Sequence, residues 1–145
     1  MDVDGTLTDG KIYMGNDGEI MKAFNVKDGY GIHNIAVPKG ITPVIITGRF
    51  SKILENRCKE LGIEKVYQGI SDKVEKLSEI TNRFDEVAYI GDDVNDLPCM
   101  QLIKNAGGIV GSPQNAVRSV REIADFISEF DGGNGAVRDF IEWIV

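Results

Sequence analysis

At 145 residues, 42% hydrophobic and 27% charged, the chain has the composition of one soluble globular domain long enough to bury a core. A formal charge of −7 argues against a nucleic-acid partner, which wants clustered Lys and Arg. No run approaches the roughly 18 apolar residues of a membrane helix, and no basic-then-apolar leader is present, so the expectation is a cytoplasmic protein with no membrane attachment.

The first residues, MDVDGTLTDG, place two acids almost at the start, followed at once by glycine. Next comes KIYMGNDGEIMKAF, two extended runs around Asn16-Asp17-Gly18, which reads as a projecting β-hairpin over about residues 11–25. DGYGIHNIAV (28–37) is a short helix. From there strands and helices alternate: strands at 42–47, 64–68, 87–90, 107–110 and 125–128, with helical patterns at 51–61, 71–84, 96–105 and 114–123 between them. This alternation without long polar breaks implies an α/β fold, a Rossmann-like doubly wound parallel sheet with helices on both faces. Residues 1–145 read as a single domain. Cys58 and Cys99 sit apart in helical stretches and read as buried free thiols of a reducing compartment, not a disulfide.

Residues two apart on a strand point the same way, so Asp2 and Asp4 can face one spot at the strand's carboxyl end, where open α/β sheets bind ligands. Two close carboxylates repel unless a cation or a proton relieves them. A hard cation such as Mg²⁺ suits oxygen ligands and leaves room for water and phosphate. The pair alone is equally consistent with capping. Three further strand ends carry related chemistry. The strand at 87–90 runs into GDDVND, bringing Asp92, Asp93 and Asp96; the strand at 42–47 ends in Thr47-Gly48-Arg49; and Lys73 begins the helix after the strand at 64–68. A hydroxyl, a free amide and a guanidinium suit an anion. Taken singly, Thr47 and Ser71 also read as helix caps, Lys73 as a solvated charge and Asp93 as a loop acid.

DVDGTLTDG, ITGR, the lysine of SDK and GDDVND, in this order, resemble the four signature motifs of the haloacid dehalogenase superfamily. The resemblance implies that Asp2 takes up the phosphoryl group as an aspartyl-phosphate. It implies that Asp4 protonates the leaving oxygen and then activates water. Thr47 and the Gly48 amide would hold phosphate oxygens and Lys73 would neutralise them. Mg²⁺ would be bound by Asp2, the Asp4 carbonyl and Asp92, with Asp96, Asp93 and Asn95 orienting those ligands. Members that split carbon–halogen bonds lack the second acid, so Asp4 points to phosphate ester hydrolysis. The acidic total of −7 is no obstacle, because the local field decides whether phosphate binds.

The stretch from Gly5 to Thr47 holds only the hairpin and one short helix, and that from Thr47 to Lys73 one helix and one strand. No room remains for a cap domain. GNDGEIMKAFNVKDGYGI, ITGRFSKILENRCKELGI and GGNGAVRDFIEWI resemble the capless 3-deoxy-D-manno-octulosonate 8-phosphate phosphatase family over essentially the whole chain. That resemblance implies a homotetramer assembled through the hairpins, which help roof adjacent sites. It places Asn25, Lys27, Asp28 and Gly29 along the sugar site, with Arg49 and Arg57 as basic contacts and Arg49 gripping the sugar-acid carboxylate. His33 reads as either a rim residue or a plain helix residue. Gly132, Gly133 and Gly135 read as a flexible stretch that brings the C-terminal segment, and Arg138 with it, to a site. Only Met1 precedes Asp2, where the family has an apolar strand; a strand of Met1–Val3 is expected to anchor the nucleophile poorly, as if the sequence began inside a longer product. Two alternatives stay open: a phosphatase of nine-carbon sialic-acid-type 9-phosphates, and a non-catalytic assembly domain associated with a sugar-nucleotide synthetase.

Overall fold

The computed structural model describes residues 1–145. The hairpin is formed by β1 (Tyr13–Gly15) and β2 (Gly18–Met21), antiparallel, with Gly15 opposite Gly18. Gly18 closes the turn at φ 116°, a conformation open to glycine and costly for other residues. The expected helix after it starts at α1 (Val26–Tyr30), continues through a wider-wound segment, Gly31–Ala36, and tightens into a 3-10 turn at Val37–Lys39. Pro38 has no N–H to donate, which stops the regular ladder there.

The alternating region yields β3 (Val44–Ile46), α2 (Lys52–Leu61), β4 (Lys65–Tyr67), α3 (Lys73–Ile80), β5 (Ala88–Ile90), α4 (Leu97–Asn105), β6 (Ile109–Ser112), α5 (Arg118–Ile123), β7 (Phe126–Ile127) and α6 (Ala136–Ile144). The strand expected at 107–110 is displaced toward the C-terminus. Gly107 (φ 93°) and Gly108 make the turn, and a side chain at 108 would meet the Phe84 carbonyl oxygen at 2.3 Å. The helix expected over 71–84 ends at Ile80, where Thr81 is extended and its hydroxyl accepts the Arg83 N–H.

β3 pairs with β4, and β5, β6 and β7 pair in that order, all parallel. The Met1–Val3 segment joins the two groups. Met1 N donates to Val44 O at 2.9 Å, Ile46 N donates to Met1 O at 3.1 Å, and Asp2 N donates to Ile90 O at 3.1 Å. Counting this segment as first, the strands run third, second, first, fourth, fifth, sixth, the order of a doubly wound nucleotide-binding sheet. The poor anchoring expected of so short a segment is not what the structure has. Val3 is fully buried and the backbone is tied on both sides.

Each face of the sheet has its own core. Ile32, Ala36, Leu54, Cys58, Val137, Phe140 and Ile141 gather α1 with its continuation, α2 and α6 on one face. Leu77, Cys99, Met100, Ile103 and Val120 bring α3, α4 and α5 to the other. Both cysteines are buried free thiols, which burial pushes up to about 11. No helix is long and apolar enough to cross a membrane.

Candidate active site

The carboxyl ends of the Met1–Val3 segment, β3 and β5, together with the N-terminus of α3, meet at one place. Asp2 is 4% exposed and Lys73 5% exposed, so neither charge can rely on water. Lys73 Nζ lies 2.8 Å from Asp2 Oδ1 and 2.7 Å from Asp96 Oδ1. Burial would lower the Lys73 pKa, but the two carboxylates overrule it and hold the ammonium above its ordinary range. Burial and Asp96 push Asp2 upward, and Lys73 offsets part of that.

Asp2, Asp92 and Asp96 each offer an oxygen within 4.8 Å of the others. Asp96 has little left to give a metal. Its Oδ1 accepts Lys73 Nζ and the Tyr89 hydroxyl at 2.6 Å, and its Oδ2 accepts the amides of Asp92 at 3.0 Å and Asp93 at 3.3 Å. It therefore orients the turn that carries Asp92. Asp92 is held only by the Thr6 hydroxyl, 2.9 Å from its Oδ1. Burial and the Asp2 charge raise its pKa to about 7. A pair of carboxylates this close, one of them with no compensating cation, is the chemistry a hard divalent ion relieves. The residues fit Mg²⁺. Gly5 makes the approach possible, since a Cβ there would sit 2.0 Å from Asp92 Oδ2.

Thr47, 2% exposed, directly follows β3, and its amide donates to Tyr67 O. The Gly48 N–H donates to no group of the chain and is free for an anion. Arg49 is exposed; its Nε lies 3.9 Å from Asp4 Oδ2 and its NH2 3.9 Å from Glu19 Oε1. Asp93 caps its own turn by accepting Val94 N, and Asn95 is exposed.

The residues assigned to the sugar site divide. Asn25, Asp28, Gly29 and Arg57 line one small cavity with Phe24 and Leu7. Within it Asn25 caps α1 by accepting Lys27 N, while Asp28 accepts Arg138 N at 2.8 Å and so caps α6. Asp28 Oδ2 and Arg57 Nε have no partner. Arg57 lies against Gly29, beside the Phe24 ring, and pairs with Glu60 at 2.8 Å. Lys27 points to solvent, outside this cavity. His33 is an exposed helix residue facing the Leu61 carbonyl. Arg138 pairs with Glu142 on its own helix and covers Tyr30.

Gly132 and Gly133 are not a free tether. A Cβ at 132 would fall 1.7 Å from Gly5 O, and Gly133 N donates to Thr6 O at 3.0 Å. These glycines let the C-terminal segment lie directly on the loop that follows the two acids. Residues that sequence reasoning did not place in the site include Thr6, Glu19, Lys22, Ser51 and Tyr89. Thr6 lies within a motif and was open to detection; Tyr89 looked like any core residue. A cleft of about 630 Å³ opens at the opposite, amino end of the strands below Met1, and Asp2, Asp4, Lys73 and Asp92 take no part in lining it.

No family model matches the chain. The 3-deoxy-D-manno-octulosonate 8-phosphate phosphatase of Escherichia coli K12 is 42% identical over 149 aligned positions, covering 100% of this chain and 77% of the relative. This chain belongs to the 3-deoxy-D-manno-octulosonate 8-phosphate phosphatase family. Structures of the family agree. The crystal structure of the Yersinia pestis phosphatase superposes with a TM-score of 0.87 at 43% identity, covering 99% of this chain and 77% of that one. The Moraxella catarrhalis phosphatase, solved in complex with magnesium ion, phosphate ion and a KDO molecule, gives a TM-score of 0.88 at 40% identity, covering 99% and 82%. The family lies within the haloacid dehalogenase superfamily, to which a Legionella pneumophila hydrolase with a TM-score of 0.87 at 39% identity, covering 99% of this chain and 78% of that one, is also ascribed.

Proposed function

We propose that the protein is a Mg²⁺-dependent phosphatase of 3-deoxy-D-manno-octulosonate 8-phosphate. The carrying observation is the meeting of Asp2 and Asp92 within 4.8 Å, beside a buried Lys73 that pairs with Asp2 at 2.8 Å. Asp2, Asp92 and the Asp4 backbone carbonyl would hold Mg²⁺, which supplies counter-charge to the phosphoryl oxygens. Phosphoryl transfer is governed mostly by placement and counter-charge. Lys73 fixes one oxygen of Asp2 and leaves the other for attack on phosphorus. The Thr47 hydroxyl and Gly48 N–H receive phosphate oxygens. Asp4 gives a proton to the departing sugar oxygen and takes one from the water that hydrolyses the aspartyl-phosphate. Asp96, Asp93 and Asn95 support the turn that presents Asp92. Arg49, at the mouth, is the contact for the sugar-acid carboxylate, and Asn25, Lys27, Asp28, Gly29 and Arg57 form the rest of the sugar site.

The family match supports the eight-carbon substrate. Residues 1–145 act as one catalytic domain, and a homotetramer built through the hairpins fits the exposure of Met14, Ile20 and Met21, at 59%, 66% and 48%. Two buried free thiols fit a reducing, cytoplasmic setting. The test is phosphate release from a panel of eight- and nine-carbon sugar-acid phosphates, with Mg²⁺ and with a chelator. Release from the eight-carbon ester that chelation stops, and that Asp2→Asn abolishes with the oligomer intact, is the expected result; equal turnover by the variant would remove Asp2 from its role.

A further inference from the structure

The hairpin sends a charged side chain back into its own chain's site. Lys22 follows β2 at the hairpin's base, and its side chain is 3% exposed, as closed to water as that of Lys73 at 4%. Its Nζ has two carboxylate partners, Asp4 Oδ1, which it meets in a short contact, and Glu19 Oε1 at 3.1 Å. Glu19 is itself gripped by the Ser51 hydroxyl and faced by Arg49 NH2 at 3.9 Å, so it is tied to the loop after β3. The far oxygen of Asp4, Oδ2, has only the Arg49 Nε at 3.9 Å and no hydrogen bond.

The asymmetry matters. A carboxylate at a loop has two rotatable bonds and, in water, no preferred heading. An ammonium closed off from solvent holds its carboxylate partners firmly, because no water competes for its donors, and here Glu19 anchors it from the other side. The other oxygen, Oδ2, is left without a hydrogen bond and so is free to meet a substrate atom. We propose that Lys22 is a positioning residue for Asp4: it clamps Oδ1 so that Oδ2 faces the ester oxygen of the substrate. This rests on the phosphatase reading above. In the step concerned, an Asp2 oxygen forms a bond to phosphorus as the phosphorus–ester oxygen bond breaks. The electron pair goes to the ester oxygen, which takes the proton from Asp4 Oδ2. In the second half, water adds to phosphorus, gives its proton to Asp4, and the bond to Asp2 breaks.

A sugar alkoxide is a poor leaving group and needs that proton; a nitrophenolate leaves without it. The test compares kcat and KM for 3-deoxy-D-manno-octulosonate 8-phosphate and for p-nitrophenyl phosphate in wild type, Lys22→Met and Lys22→Gln, with circular dichroism as the check on folding. General acid catalysis is worth about 10²–10⁴-fold, and a small misplacement forfeits part of it. Lys22→Met is expected to lose about 10–100-fold in kcat on the sugar phosphate, at least about tenfold more than it loses on the aryl ester, with KM little changed. Lys22→Gln, which can still donate to Oδ1, should recover part of the sugar-phosphate rate. Equal losses on both esters, a rise in KM alone, or no loss would overturn the role of Lys22 while leaving the phosphatase reading standing. If wild type hydrolyses neither ester, both fall.

Discussion

Asp92→Asn should make the metal-free protein more stable while destroying its response to magnesium. Burial and the neighbouring Asp2 charge raise the Asp92 pKa from 3.8 to about 7. A group raised in the folded state binds protons more tightly there than in the unfolded chain, so folding stability from this group is full below the unfolded value and is lost as pH rises through the folded one. At about 1.4 kcal/mol per unit, the displacement is worth up to about 4 kcal/mol, and partial exposure of the carboxyl brings that to about 2–4 kcal/mol. Asparagine keeps an oxygen for the Thr6 hydroxyl, now 2.9 Å away, and removes the charge. The assay is denaturant unfolding at pH 8 and pH 5.5, each with chelator and with Mg²⁺. Wild type in chelator should be less stable at pH 8 than at pH 5.5. The variant should flatten that slope, gain about 2–4 kcal/mol at pH 8, and show no stabilisation by Mg²⁺. Its phosphate release should vanish. A variant less stable than wild type in chelator at pH 8 would refute the reasoning, because the carboxylates would then not be in electrostatic conflict.

Two further outcomes follow from the same geometry. Lys73→Met leaves the carboxylates of Asp2 and Asp96 buried without their shared cation; it should cost about 3–5 kcal/mol by urea unfolding and abolish turnover. Gly132→Ala puts a methyl group 1.7 Å from the Gly5 carbonyl oxygen. It should destabilise by about 1–3 kcal/mol through overpacking and lower kcat by displacing the loop that holds Asp4, read by thermal unfolding and by phosphate release.

The strand–helix alternation and the four motif positions were legible in the chain because each is a local pattern: apolar periodicity, caps and acids at strand ends. Boundaries moved where a neighbour intervened, as at Gly107 and Gly108, whose apolar surroundings read as strand, although Gly107 turns at positive φ and the Gly108 backbone packs under the Phe84 carbonyl. Asp28 and Gly132 illustrate the harder case. Asp28 receives the amide of Arg138, far along the chain, and Gly132 lies on Gly5. No pattern within a few residues records such contacts.

What the sequence by itself determined is the inventory: a doubly wound sheet, two acids ahead of a glycine, a threonine, a lysine and an acidic turn, each delivered to a strand or helix end by local rules. Tertiary structure decided how they are used. The folded chain supplies the physical ground for separating Asp92, free to receive a cation, from Asp96, whose oxygens are taken by Lys73, Tyr89 and two amides. Only the fold brings Lys22 from the hairpin onto Asp4. The physical reason is that burial and pairing set the behaviour of a charge, and both depend on residues distant in sequence.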